Sequence, residues 1–586
     1  MVFKVDFEKA YDSVRWDFVE DILRKFGFDD KWCTWIRSCL QSSRGSVIVN
    51  GSPTEEFQFY KGLKQGDPLS PFLFILVMES LHISFQRVVN AGLFKGIKLG
   101  SSLQMYHLFY ADDAIFMGQW NQNNIDTITR VLDVFYRASG LRINMHKSQL
   151  MGISVDANLL KQAASKIGCM VLKTPFKYLG SRVGDLMSRI QSWSEIIEGM
   201  EARLSRWKLK TLSIGGRLTL IKSVLGAINI YHMSMFKVPM QVLQKLESIR
   251  AIFFNGTDVN SRKPSWVRWK NVMAARFFND TDVNSRNPSW VRWKSVMASK
   301  DVGGLGVSSL FALNRALMFK WVWRFISQKT SLWARVNSAL HSDAGKIGLD
   351  LLSFINPKLG NGLNTSFWDV PWRGDTDFKE LAPRIYALES LKVQLELLQD
   401  LMHGCMLSNS NDNWSWSLDG GGDFTVSSVR KAIDNHILPK GTTKTRWIKE
   451  VPIKINIHAW KVKNDCFPTR FNMSRRGMDI DSILYPLCNS VAESSRHLFF
   501  SCNFIRDIML KINLWWEVDH REIDSYDEWL EWLASIRLPM KVKKVFESIC
   551  VIVWWYIWNW RNKKIFGHET SLKANIFDEI VSQSFH

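Results

Sequence analysis

The spacing of apolar and polar positions changes several times along the chain, and each change marks an element. The run "VFKVDF", residues 2–7, predicts a short buried strand with Asp6 near its end. In "RWDFVEDILRKFGF", residues 15–28, Trp16, Val19, Ile22, Leu23 and Phe26 recur at helical spacing, with Gly27 placed to cap the helix. "GLKQGDPLSPFLFIL", residues 62–76, reads as a Gly-bounded turn feeding an apolar helix. "LFYADDAIF", residues 108–116, sets two apolar arms around Asp112 and Asp113, the pattern of a β-hairpin. Residues 189–250 are helical in pattern and basic. Residues 320–440 are mixed and Trp-rich, broken by the turn-like "NPKLGNGLN" and "LDGGGDF". The basic "LPKGTTKTRWIKEVPIK" leads into a compact module ending near residue 505, and a mostly helical tail follows. Within that tail, "SICVIVWWYIWNW", residues 548–560, is too short to span a bilayer and predicts a buried amphipathic helix.

Composition narrows the class. A chain of 586 residues has room for three to four domains, and 46% hydrophobic against 23% charged residues suits globular folding. The net charge of +20 is uneven: residues 201–300 hold 18 Lys and Arg against 5 Asp and Glu. Such a field favours a polyanion, nucleic acid before an anionic membrane. Trp207, Trp266, Trp269, Trp290 and Trp293 are interleaved with these cations, suited either to base stacking or to a core. No secretory signal or transmembrane segment is recognised, and eight scattered cysteines suit a reducing, intracellular compartment, nucleus or cytoplasm. Residues 251–274 and 275–298 repeat each other at 20 of 24 positions, a tandem duplication too short for a solenoid.

The paired acids raise the chemical question. Two anions about 4 Å apart repel by roughly 4 kcal/mol at an effective dielectric near 20. A turn accounts for such a pair, and so does a divalent cation that reverses the repulsion. A two-metal phosphoryl-transfer site needs hard oxygen donors converging from separate strands, and Asp6 offers a third carboxylate.

These segments resemble the reverse transcriptases of non-LTR (LINE-type) retrotransposons of the plant type. The stretch around Asp6 is similar to polymerase motif A, "GLKQGDPLSP" to motif B and "YADD" to motif C. "SGLRINMHKS" (139–148) is similar to motif D, and "FKYLGSRVG" (176–184) to motif E. "LSIGGRLTLIKSVL" and "GGLGVSSLFALNRALMFKWVWR" extend the likeness beyond them. The resemblance implies an α+β fold: a right-hand polymerase palm, antiparallel sheet plus helices, followed by a mainly helical thumb and C-terminal domains. The palm would span 1–188, a basic helical thumb or connection 189–320, a Trp-rich connection 321–440, a zinc-binding-like module 441–505 and a helical tail 506–586. It further implies that Asp6, Asp112 and Asp113 ligate two Mg²⁺ and that Tyr11 stacks under the incoming sugar. Gln65 and Gly66 would lie against the nascent base pair, and Lys147 would be a general acid for pyrophosphate departure. The partners implied are an RNA template, a DNA primer or target, and dNTPs.

A second module, "LYPLCNSVAESSRHLFFSC" (484–502), is similar to the zinc-binding module that follows these enzymes. Cys488, His497 and Cys502 match its ligands, but Tyr485 stands where the first cysteine belongs, and Cys466 is a candidate distant ligand for Zn²⁺. Asp6 is the sixth residue, so the sequence reads as N-terminally truncated, with the family's fingers and endonuclease, which would lie upstream, expected to be missing. No carboxylate set resembling a ribonuclease H follows the module. A competing expectation is therefore a catalytically inactive remnant that only binds nucleic acid.

Overall fold

Strand β1 (Val2–Val5) has three of its four residues buried, because it runs through the middle of a sheet covered on both faces. In the computed structural model, described for residues 1–99, 103–206, 212–228, 230–256, 290–328, 351–358, 361, 408–441, 443–566 and 575–584, the chain forms two units, Met1–Asp185 and Leu186–His586.

In the first unit, helix α1 (Trp16–Lys25) buries Val19, Ile22 and Leu23, and Gly27 closes its end with φ 82°. Periodicity predicts this helix and its face correctly. Helix α2 (Ser70–Asn90) is long and apolar enough, by length and composition, to cross a membrane. Its Leu73, Phe74, Val77, Met78, Leu81 and Phe85 belong to the core of the unit. Strands β2 (His107–Tyr110) and β3 (Asp113–Met117) form the expected hairpin, and α3 (Gln122–Ser139) follows. After β4 (Gln149–Met151), helix α4 (Ala157–Ile167) carries the chain back to β5 (Met170–Val171).

The sheet order is β5-β4-β1-β3-β2. Its pairs are antiparallel except β4–β5, so the expected antiparallel sheet is in fact mixed. The crossover through α4 is the reason, since a helix between two strands lets them run the same way. Beyond the sheet, β6 (Phe176–Tyr178) and β7 (Ser181–Val183) pair across Leu179 and Gly180, both at positive φ. That is the backbone a two-residue hairpin turn requires.

The second unit is mainly helical. Helix α5 (Met240–Asn255) presents Glu247, which pairs with the buried Arg250 and accepts from Trp293 Nε1 at 2.7 Å and the Leu310 amide at 2.7 Å. Arg476 lies over the Trp290 ring. These two tryptophans of the basic stretch are thus engaged within the unit, while Trp207, Trp266 and Trp269 lie outside the described residues, as does most of the tandem repeat. Helix α6 (Met540–Phe566) is buried at nine consecutive positions, Phe546 to Trp554. The amphipathic helix expected there is instead enclosed all round, as a helix without a polar face must be.

Candidate functional site

Asp6 sits one residue past the end of β1, and its backbone is held from both sides. Its amide donates to Ser148 Oγ at 3.1 Å, and its carbonyl accepts from the Asn144 amide at 2.8 Å. Ser148 is fully buried and donates in turn to the Asn144 carbonyl at 2.8 Å. The β1–β3 register pairs Val2 with Met117 and Val5 with Ala114. Continued by one residue, it sets Asp6 opposite Asp113. Asp113 itself pairs with Tyr110, leaving Ala111 and Asp112 as the turn, with Ala111 at φ 50°. Asp112 is exposed there, whereas Asp6 and Asp113 are half-buried.

The neighbouring backbone is tied to this corner. The Leu63 amide donates to the Tyr11 carbonyl at 2.7 Å and the Gly62 amide to the Val14 carbonyl at 2.7 Å. Gly62 is irreplaceable in this contact: at φ 88°, a Cβ would lie 2.7 Å from the Asp12 carbonyl oxygen. The Tyr11 ring stacks on Phe74 of α2, with centroids 4.5 Å apart and planes 14° from parallel. Burial raises the pKa of the Tyr11 phenol, and the negative charge of Asp112 raises it further. Gln65, Gly66 and Lys147 are exposed. Gly66 has φ 91° and open space at its Cβ position. Asp67 caps the same turn, accepting from the Leu69 amide at 2.8 Å.

A second cluster lies in the C-terminal unit. The Tyr485 amide donates to the Val491 carbonyl at 2.9 Å, and the amides of Cys488 and Asn489 return to the Tyr485 carbonyl. This tight turn brings Cys488 toward His497, with Sγ 3.3 Å from Nε2. His497 opens a π-helical turn, His497–Ser501, whose end places Cys502. The ligand atoms of Cys488, His497 and Cys502 lie within 4.8 Å of one another, the one such set of three His, Cys, Asp or Glu donors among the described residues. The carboxylates of Asp6, Asp112 and Asp113 do not close to that spacing. Burial pushes the Cys488 thiol up, but hydrogen bonds from Ser490, Val491 and His497 outweigh it and bring it down to about 6. Burial pushes the Cys502 thiol up. Two sulfurs and an imidazole are donors that suit Zn²⁺. Cys466 is not part of the set: its Sγ is 3.3 Å from the Asn464 carbonyl in its own loop, so the expected distant ligand is corrected.

Residues 1–183 match the family described as reverse transcriptase (RNA-dependent DNA polymerase). The chain carries a reverse-transcriptase domain. Residues 424–508 match zinc-binding in reverse transcriptase, so the domain is followed by the module in which the Cys-His-Cys set lies. An Arabidopsis thaliana protein, provisionally named a ribonuclease H protein, is 24% identical over 66% of this chain and 66% of its own length. A retrovirus-related Pol polyprotein from a type-2 retrotransposable element of Drosophila melanogaster is 26% identical over 42% of this chain and 23% of its length. One from the type-1 retrotransposable element R2 of Popillia japonica is 30% identical over 33% of this chain and 25% of its length. The chain thus spans between 23% and 66% of the length of these relatives.

Within the reverse-transcriptase domain, the structure gathers Asp6, Tyr11, Asp112 and Asp113 at one end of the central strands. The residues that hold Asp6, Ser148 and Asn144, escaped notice in the sequence, although both lie in the motif D stretch. Gly62 was legible only as a turn former, and the close approach it permits is to Asp12.

Proposed function

We propose that this chain is an RNA-directed DNA polymerase of LINE type, transferring nucleotides from dNTPs to a primer 3′-hydroxyl. What supports the reading is the β1–β3 register, which pairs Val5 with Ala114 and, continued by one residue, brings Asp6 level with Asp113, beside Asp112 on its turn. Three carboxylates on neighbouring strands are hard donors of the kind Mg²⁺ takes, together with waters and phosphate oxygens. The paired ions would lower the pKa of the attacking hydroxyl and offset charge on the leaving pyrophosphate. Asp6, Asp112 and Asp113 would hold them. Tyr11, rigid against Phe74, would support the sugar of the incoming nucleotide. Gln65 and Gly66 would face the new base pair, Gly66 leaving its side free for it. Lys147, exposed on the motif D turn, would supply a proton to pyrophosphate. The net charge of +20 would hold an RNA template and DNA primer, and Cys488, His497 and Cys502 would take Zn²⁺.

The test is primer extension on an RNA template with Mg²⁺ and dNTPs, with wild type and Asp112→Ala side by side. Extension by wild type that drops at least a thousandfold in the variant supports the polymerase. The three carboxylates stand farther apart than a closed ligand set, and this favours one other outcome. If neither protein extends while both bind template in a salt-sensitive way, the chain is a nucleic-acid-binding remnant.

A further inference from the structure

The stretch "LSIGGRLTLIKSVL" contains a short helix, Ile214–Leu220, in the second unit. Gly215 lets it close on helix Ile453–Lys463, since a Cβ there would lie 2.8 Å from the Lys454 amide nitrogen. Two residues on, Arg217 is 7% exposed, and burial works against its charge. Its guanidinium lies against the end of α5, where Gly256 has φ 74° and a Cβ would come 2.7 Å from Arg217 Cζ. Nε is sealed from solvent without a partner, and among the described residues no carboxylate or carbonyl accepts from the guanidinium. The end of α5 offers it partial negative charge. A buried charge is ordinarily paired, so this one stands out. Further cations surround it. Burial brings the Lys461 ammonium down to about 8; Cys466 opposes this, and the like charge of Arg217 adds to it. Cys466 is in turn within electrostatic reach of Lys461, Arg476 and Arg292. Arg292 and Arg476 are exposed, and the Arg476 guanidinium sits 4.2 Å from the Trp290 ring centroid. Asp465, the acid beside them, is committed: its Oδ1 accepts from Asn472 Nδ2 at 2.8 Å and from Ser495 Oγ.

We infer that Arg217 and Lys461 form a recess that binds a backbone phosphate of nucleic acid, with Arg292 and Arg476 at its outer edge. An anion is the group that makes burying two like charges side by side favourable. With Nε sealed, Nη1 and Nη2 are left for an incoming group. That edge of a guanidinium meets two oxygens through parallel N–H bonds, and a phosphodiester offers both oxygens with a permanent charge. A carboxylate also suits the fork, but the reverse-transcriptase domain of this chain argues for nucleic acid. The inference rests on the nucleic-acid binding within the proposed function and is independent of catalysis.

The experiment measures binding of the full chain to labelled single-stranded RNA and to labelled duplex DNA across a salt series. Labelled polyglutamate is the carboxylate probe. Wild type is compared with Arg217→Met, Arg217→Lys and Lys431→Gln, the last removing an exposed charge on helix Val426–Ile437. Arg217→Met should melt at or above wild type, because an unpaired buried charge does not hold a fold together. It should bind nucleic acid about tenfold more weakly. Its log K against log salt should be shallower by about 0.7 on RNA and about 0.9 on DNA, one contact's worth. Arg217→Lys should regain the slope and part of the affinity, and Lys431→Gln should change neither. A change confined to one nucleic acid names RNA or DNA as the source of the phosphate. Should Arg217→Met fail to fold, Lys461→Gln carries the test with the same expected loss of slope. An unchanged slope and affinity, in a chain that binds nucleic acid, overturns the recess alone. Equal dependence on Arg217 for polyglutamate overturns the phosphate assignment. No binding of RNA or DNA by wild type overturns both the recess and the nucleic-acid reading.

Discussion

Ser148 shows how much of the candidate site depends on residues that carry no charge. Its hydroxyl accepts from Asp6 and donates to the Asn144 carbonyl, and it is buried with both bonds made. Ser148→Ala leaves the Asp6 amide without this partner, which costs about 1–3 kcal/mol. The expected result is a lower urea midpoint with an unchanged m-value, and in an active enzyme a fall in kcat larger than any rise in KM. The acids themselves were legible in the sequence because adjacent aspartates in an apolar run demand an account. Ser148 was not, since its partner is 142 residues away and a serine before a strand is unremarkable. Cys466 failed for the opposite reason: residue type made it a candidate, and only the backbone of its loop directs the sulfur to Asn464.

Among the elements, β2 joins the site to a half-buried pair of histidines. His107 opens this strand, with Nε2 2.8 Å from His82 Nδ1 on α2 and Nδ1 unpartnered. Burial, followed by the charge of His82, lowers its pKa to about 4 from an ordinary 6.5. Between those values the unfolded chain binds more protons than the native one, so stability rises with pH. It is full above pH 6.5 and is lost as pH falls toward 4. Thermal unfolding from pH 7 to pH 4 should show a falling midpoint, and His107→Phe, placed among Phe85, Phe109 and Phe116, should flatten that slope. Helix α1 was readable because helical spacing is a local property. The two-residue β5 was not, since its place beside β4 is set by the α4 crossover. The enclosure of α6 also escaped prediction, because periodicity cannot tell one covered face from burial all round.

For the whole molecule, the family matches cover residues 1–183 and 424–508, and the catalytic and metal candidates fall inside those two stretches. The ion pair between Glu493 and Arg561 ties the second stretch to α6, since both residues are almost wholly buried. The metal turn therefore cannot open without disturbing that buried helix. A ligand bound only by the native form stabilises everything that unfolds with its site, by about 2.7 kcal/mol at a hundredfold excess over Kd. Backbone amides from Phe546 to Trp554 touch no proposed ligand, yet Zn²⁺ should slow their hydrogen–deuterium exchange about a hundredfold at that excess. An unchanged exchange rate in a zinc-loaded chain would mean that the turn opens alone. Otherwise a helix buried at nine consecutive positions doubles as a gauge of occupancy at a site it does not touch.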